Sequence, residues 1–173
     1  PGLTEERYRA QVGSQSQGIA NSREQINQLT YLTELENAGD IIDKNLSELV
    51  IKKIKLGVDF TPEGWKELDD FYKKVAQNLL IADTAFTTRD RLLAEQLLRH
   101  KDYLRNYEHE LRDRHFARLN SHLAQSHETS AIHLDLLTHL KRINSGVSHV
   151  GYAILQDLNL LNTATEVKPT SEA

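Results

Sequence analysis

The sequence predicts an all-α protein, an elongated antiparallel helical bundle, and three observations support this fold class. The 173 residues include only 3 Pro and 8 Gly, so few positions interrupt a helix. Apolar residues recur at alternating spacings of three and four, whereas the period-two alternation typical of strands is absent. The segments between the predicted helices are only a few residues long, which makes successive helices antiparallel.

Composition narrows the class of protein further. Hydrophobic residues make up 39% and charged residues 27% of the chain, which is typical of one folded domain of this length. The net charge is −4 and no basic block occurs, so we expect no nucleic-acid partner. Cysteine is absent, which excludes disulfides and thiolate metal sites. No run of 18 apolar residues occurs, so we expect no transmembrane helix.

The first long helix is predicted to begin at Ser22, which would act as its N-cap. Residues 1–21 are interpreted as an N-terminal extension or partial helix, with a break at residues 13–18. Gly57 is predicted to end the helix in a left-handed conformation. The predicted buried face of this helix consists of Leu32, Leu35, Gly39, Ile42, Leu46, Leu49, Lys53 and Leu56.

Three further helices are predicted to follow and to complete a bundle domain over residues 22–160. Thr61 and Pro62 give a cap and a first helical position, and Thr87 or Thr88 is expected to cap the third helix, over about residues 89–124. A polar link at residues 126–129 precedes the fourth helix, and residues 161–173 are expected to form a disordered tail. The predicted buried face of the second helix consists of Trp65, Leu68, Tyr72, Val75, Leu79, Ala82 and Phe86, and Phe71 and Leu80 widen it. The predicted buried face of the third helix consists of Leu93, Leu97, Leu104, Leu111 and Leu119, with Leu98, Phe116 and Leu123 alongside. The predicted buried face of the fourth helix consists of Ile132, Leu136, Leu140, Ile143, Val147, Val150 and Ile154.

Three carboxylates provide the strongest hint of a binding site. Glu36, Asp40 and Asp43 stand at i, i+4 and i+7, on one edge of the apolar face of the first helix. Neighbouring carboxylates repel one another and are stabilised by a cation, a proton or a basic side chain. They are therefore candidate ligands for a divalent or iron-type metal ion. The alternative is a solvated acidic flank, with Lys44 and Lys52 nearby.

Polar residues of the third and fourth helices give a weaker signal. Glu108, His115 and His122 share a face with Leu111, so any of them that is buried must be paired. The eight histidines form neither Glu-x-x-His nor His-x-x-x-His pairs, which favours surface and structural roles over a metal centre. The arginines and lysines of these helices are expected to form ordinary surface ion pairs, although anion binding is an alternative.

Catalytic motifs are absent from the sequence. It contains no glycine-rich phosphate loop, no Ser/His/Asp arrangement with a strand-turn context and no cysteine nucleophile. We therefore expect no enzyme, no catalytic residues and no cofactor-binding residues.

Two stretches of the sequence resemble a known family. Leu35-Glu36-Asn37-Ala38-Gly39-Asp40 resembles the Leu-Glu-x-x-Gly-Asp signature of PhoU-like domains. Residues 110–119 followed by 133–145 resemble the C-terminal PhoU-like domain of bacterial sodium/phosphate cotransporters, and the resemblance covers roughly residues 29–155.

The resemblance implies an elongated bundle built from two three-helix units, each with a Glu/Asp-x-x-x-Asp motif that in some members binds iron, zinc or another metal ion. It also implies regulation of phosphate transport at the cytoplasmic face of the inner membrane. The implied partner is the membrane segment of the same polypeptide or a separate transport protein, and a homo-oligomer is compatible with the family.

The two implied units differ in their acidic residues. A shift of 105 positions aligns the apolar residues of the first and fourth helices, but it replaces Glu36 by Lys141, Asp40 by Ser145 and Asp43 by Ser148. Because a cation at Lys141 would repel a metal ion, only the first unit is expected to keep a metal site.

The leading hypothesis is therefore a regulatory PhoU-like domain of a sodium-dependent phosphate transporter, with metal modulation at the three carboxylates. Two alternatives stay open. One is a free-standing PhoU-type regulator of phosphate uptake. The other is a metal-dependent helical-bundle enzyme of ferritin-like type.

Overall fold

The computed structural model describes the backbone of residues 2–120 and 124–166, and the side-chain surroundings of residues 18–19, 21–120 and 128–158. It confirms the all-α helical bundle: four long helices form the fold, and no strand occurs in the described ranges. The first and the last long helix are each divided by a local irregularity. The elements are α1 (Gly2–Asp40), a π-helical segment (Ile41–Leu46), α2 (Ser47–Leu56), α3 (Pro62–Thr88), α4 (Arg91–Asn120), α5 (Ala124–Val147) and α6 (His149–Glu166).

The first long helix begins earlier than the sequence suggested. Helix α1 runs without interruption through residues 13–18, so the predicted break is wrong. Ser22 is not an N-cap either, because its hydroxyl donates to the carbonyl of Gly18 at 2.9 Å, one turn back inside the helix. Glycine within a helix costs only about 1 kcal/mol, which a long helix tolerates.

The π-helical segment interrupts the regular periodicity of the first long helix. The backbone N–H of Ser47 bonds to the carbonyl of Ile42, five residues back, and the Ser47 hydroxyl donates to the same oxygen at 3.2 Å. Such π turns are rare and are found frequently at functional sites. The predicted face holds at Leu46 after this segment, whereas before it Ile41 is buried and its predicted inward neighbour Ile42 is half exposed.

The buried face of α1 is not the predicted one, and the difference begins well before the π-helical segment. Tyr31 and Ala38 point into the core together with Ile41, whereas Leu32 is 57% exposed. The prediction chose the largest aliphatic residues, but the bundle buries a tyrosine and an alanine at the same spacing of seven. Leu35 and Leu46 pack against this core as predicted.

The turn between α2 and α3 follows the prediction closely. Gly57 adopts a left-handed conformation with φ of 63°, which glycine accepts without steric cost. Thr61 caps α3, since its Oγ1 accepts a hydrogen bond from the N–H of Gly64 at 3.1 Å. Pro62 occupies the first helical position.

The cap between α3 and α4 is not a threonine. Thr87 and Thr88 are the last residues of α3, and their hydroxyls bond back to carbonyls one turn earlier at 2.9 and 2.8 Å. Arg89 ends α3 with φ of 54°, and Asp90 Oδ1 accepts from the N–H of Leu93 at 2.9 Å. A carboxylate is at least as good a cap as threonine, and here it stands two to three residues later than predicted.

The last long helix also differs from the prediction at both ends. The polar stretch at residues 126–129 is part of α5, and only Ser148 separates α5 from α6. Helix α6 continues to Glu166, past the predicted start of a disordered tail at residue 161. Residues 121–123 and 167–173, on which the other predicted boundaries fall, lie outside the described residues.

The core is formed mainly by α3, α4 and α5. Several residues predicted to be buried are exposed instead: Trp65 at 60%, Tyr72 at 56%, Leu80 at 68% and Phe116 at 49%. Ala82 is buried as predicted, but the inward face of α3 also takes Asn78 and Ala85, which the apolar spacing did not indicate. The largest fully buried apolar side chains are Phe71, Leu97, Leu104, Leu111, Ile132, Leu137 and Ile154.

Candidate functional site

A groove of about 540 Å³ lies between the first long helix and α5 and is lined mainly by polar and charged residues, among them Asp40. We refer to it as the charged groove. One wall is formed by the end of α1 and the π-helical segment, and the other by the last turns of α5 with the start of α6. The charged groove is lined by Glu34, Asn37, Ala38, Asp40, Ile41, Lys44, Asn45, Lys141, Arg142, Ile143, Ser145, Gly146 and His149.

Of the three predicted carboxylate ligands, only Asp40 lines the charged groove; Glu36 and Asp43 are exposed outside it. Asp40 forms an ion pair with Lys44 at 2.8 Å, and both side chains are more than half exposed. This hydrogen bond, followed by the charge of Asp40, raises the pKa of Lys44, and Asp43 and Glu36 raise it to a smaller extent. The acidic cluster thus already has one basic partner.

The carboxylates do not form a closed metal site in this arrangement. Within residues 2–120 and 124–166, as far as their side chains are described, no group of three or more His, Cys, Asp or Glu residues is arranged to hold a metal ion. The oxygen donors suit a hard cation, but Asp40 is already paired with Lys44. Among the described residues, no further ligand joins the three carboxylates. The assignment of a metal to Glu36, Asp40 and Asp43 stays a prediction.

A buried glutamate anchors the opposite wall of the charged groove. Glu108 on α4 is fully buried and accepts hydrogen bonds from Arg112 and, at 3.2 Å, from Lys141. A buried carboxylate must be paired in this way, as the sequence pattern required. Because Lys141 is held by Glu108, its ammonium group is a fixed part of the groove wall.

Gly146 on one wall of the charged groove is in close contact with Glu34 on the other. Glu34 lies against Gly146, where an added Cβ would stand 2.6 Å from its Oε2, and it contacts His149 Nδ1 at 3.3 Å. Sequence reasoning missed Glu34, because a lone glutamate on a helix has no distinguishing pattern. Gly146 was the sequence signal that could have indicated this contact, because a glycine kept within a helix often has a packing reason.

Arg142 is the most available cation of the charged groove. It is exposed, and no ion pair with another described residue involves it, whereas Lys44, Lys141 and His149 each contact a carboxylate. An exposed guanidinium can bind a planar or tetrahedral oxyanion, or a carboxylate of a protein partner, through two parallel hydrogen bonds.

The two helices related by the shift of 105 positions face each other across the groove. Asp40 and its counterpart Ser145 both line it. Ser148, the counterpart of the exposed Asp43, is fully buried. Its hydroxyl donates to the carbonyl of Asn144 at 2.6 Å, and Asn78 donates to the Asn144 side chain at 2.6 Å. The shift thus aligns the exposed Asp43 with a residue of a buried polar network.

A second polar cluster lies elsewhere, where α3, α4 and α5 meet. His115 and His133 are both buried and stack with ring centroids 4.6 Å apart, and His115 Nε2 contacts Ser130 Oγ at 2.9 Å. Burial, and then the charges of His115, Arg118 and Arg112, lower the pKa of His133 to about 3. These histidines are internal structural residues. The third candidate of the predicted face, His122, lies outside the described side chains.

The comparisons with known proteins found relatives that are named for phosphate export. The chain is 34% identical over 149 residues to a protein of Salmonella typhimurium named "Putative inorganic phosphate export protein YjbB", and 32% identical to the proteins of the same name from Escherichia coli K12 and Shigella flexneri. Each alignment covers 86% of this chain and 27% of the relative, so the chain spans about a quarter of the length of these relatives.

The other comparisons add no family. No family model matches the chain, and no solved structure matches it. None of the described helices combines the length and the apolar character that crossing a membrane requires.

Proposed function

We propose that this chain is a PhoU-like regulatory domain of a sodium-dependent phosphate transporter. The observation that carries the proposal is the 34% identity over 86% of the chain to a protein named for inorganic phosphate export. The helical bundle agrees with the fold that the PhoU-like resemblance implies. The domain acts by contact with the membrane part of the same polypeptide at the cytoplasmic face, and it catalyses no reaction.

The charged groove is the contact surface that we assign to this regulation. Its α5 wall is held by the buried Glu108, which accepts a hydrogen bond from Lys141, so this wall is in place before a partner binds. Arg142 offers an exposed cation without an internal partner among the described residues, while Asp40 and Lys44 face it from the other wall. A groove with both signs of charge recognises a partner by complementary charges.

The test uses the parent protein, the full reading frame that contains this chain. Deleting residues 22–160 should leave phosphate flux present but change its dependence on external phosphate, because the bundle regulates rather than transports. Flux is measured with radiolabelled phosphate in vesicles, with sodium and with potassium as the only cation. If the deletion leaves both the rate and its phosphate dependence unchanged, the regulatory role is wrong, and equal flux with either cation contradicts sodium coupling.

Two alternatives have their own discriminating observations. A reading frame without membrane-spanning segments would favour a free-standing PhoU-type regulator. A stoichiometric pair of redox-active metal ions in the purified chain would favour a bundle enzyme of ferritin-like type, which needs such a pair for its chemistry.

A further inference from the structure

Exposed apolar side chains are concentrated where α2 turns into α3. Val50, Ile51, Ile54 and Leu56 on α2 and Trp65 on α3 are each between 51 and 71% exposed. We refer to these five residues as the corner patch. An exposed tryptophan and four exposed branched aliphatic residues within sixteen positions are costly in water, and such a patch marks a surface that contacts another apolar phase.

The corner patch continues into an apolar groove of about 540 Å³ between α2, α3 and α5. Val50, Ile54 and Trp65 form its rim, and buried residues such as Leu49 and Leu68 lie below them. The apolar surface therefore has depth, and side chains or acyl chains of a partner can be received between the helices.

Three lysines without an ion pair to another described residue stand next to corner-patch residues in the sequence. Lys52, Lys55 and Lys66 are exposed, and no ion pair with any other described residue involves them, although the chain as a whole has a net charge of −4. Lys53 is the exception, because it pairs with Asp59 at 2.5 Å and lies over the ring of Phe60. Unpaired cations beside apolar side chains are complementary to an anionic surface with an apolar interior.

The corner is held in one shape by its own contacts. Phe60 and Trp65 stack with centroids 6.4 Å apart, and the left-handed Gly57 and the Thr61 cap fix the turn between the helices. Tryptophan is enriched at the boundary between lipid headgroups and acyl chains, because its ring is apolar and its N–H is polar.

We propose that the corner patch docks on the surface of an anionic lipid bilayer. Ile51, Ile54 and Trp65 enter the boundary between headgroups and acyl chains, and Lys52, Lys55 and Lys66 contact the lipid phosphates. A basic helix with exposed aliphatic residues is typical of such peripheral binding. The free lysines favour a lipid surface over a symmetric second copy at this patch, because the same lysines of both copies would then face and repel each other.

The test is flotation of the purified chain with vesicles, and its result does not depend on the proposed function because neither phosphate nor transport is involved. Binding is expected to vesicles of phosphatidylcholine mixed with phosphatidylglycerol but not to phosphatidylcholine alone, and it should weaken with added salt. The double variant Lys52→Gln/Lys55→Gln should bind about thirtyfold more weakly, since each lysine near an anionic surface contributes about a fivefold factor.

Matched control variants distinguish an effect of the corner patch from a general effect of net charge or hydrophobicity. Arg99→Gln/Arg105→Gln changes the net charge equally at exposed sites on α4 and should keep wild-type binding. Ile54→Ser should weaken binding, whereas Ile26→Ser, at a similarly exposed site of α1, should not.

Three outcomes would overturn the proposal. They are no flotation with anionic vesicles, equal weakening by the corner and control variants, and a wild-type dimer that Ile54→Ser converts to a monomer. The last would show that a second copy covers the corner patch. Circular dichroism of each variant verifies that the helices are intact.

Discussion

The charged groove and the apolar groove are nearly equal in volume, about 540 Å³ each, and both lie between the first long helix and α5. The first long helix contributes residues 34–45 to the charged groove and residues 46–54 to the apolar groove. The change from charged to apolar lining therefore falls at the π-helical segment. The two grooves show that one helix pair presents two chemically different surfaces on either side of a local change in helical twist.

The largest loss of stability is expected from substituting Glu108, which anchors one wall of the charged groove. Glu108→Gln leaves Arg112 and Lys141 without their buried carboxylate, and breaking such a pair costs about 3 kcal/mol of unfolding free energy. Urea unfolding measures the loss. The emission of Trp65, which lies at the apolar groove, should be unchanged in the folded variant, because only one groove loses its anchor.

Glu95→Gln is the control for this variant, since Glu95 pairs with Arg91 at the surface and should cost less than about 1 kcal/mol. If the two variants are equally stable, Glu108 does not hold the groove wall.

Lowering the pH should destabilise the protein through His133, which lies next to the apolar groove. His133 contacts Phe60, which lines that groove, and its pKa is lowered to about 3 in the folded chain. The unfolded chain, with a histidine pKa of about 6.5, therefore binds a proton that the folded chain does not. Stability is fully present above about pH 6.5 and falls by about 2 kcal/mol as the pH is lowered to about 5.

Urea unfolding at a series of pH values measures this slope. His133→Phe should remove most of that loss, while substitution of the exposed His109 by Asn should keep it. A variant at position 133 with the wild-type slope would contradict the assignment.

The smallest change in stability is expected from substituting Asp40, one of the three exposed carboxylates of the first helix. Asp40→Asn should hardly change the melting temperature without metal, because the pair with Lys44 is exposed. Under the metal prediction, added Mn²⁺ raises the melting temperature of the wild type but not of this variant. Asp102→Asn, at an exposed carboxylate on α4, is the control. The same metal-induced shift in Asp40→Asn and in wild type would remove Asp40 from the proposed ligands.

The sequence predicted the fold class and some boundaries because those depend on local chemistry. Gly57, Thr61 and Pro62 each fix a backbone conformation or a hydrogen bond within four residues. The burial of Trp65 and Ile42 was predicted wrongly. Apolar spacing shows that a face exists, but packing decides which residues of a broad stripe are covered.

The candidate site was only partly predictable for a similar reason. Asp40 was found from its spacing, and the shift of 105 positions paired it with Ser145 on the opposite wall. Glu34 and Gly146 were missed, because their contact joins residues more than 100 positions apart. The π-helical segment was also missed, since no residue pattern distinguishes it from a regular turn.

The central claim, that the charged groove regulates phosphate transport, is tested most directly by one substitution in the parent protein. Phosphate flux is measured against external phosphate for the wild type, for Arg142→Glu and for Arg99→Glu, which reverses an exposed charge outside the groove. The claim predicts that Arg142→Glu changes the phosphate dependence in the same direction as deletion of residues 22–160, while Arg99→Glu behaves as wild type. A deletion effect that neither substitution reproduces would contradict the assignment of regulation to this groove.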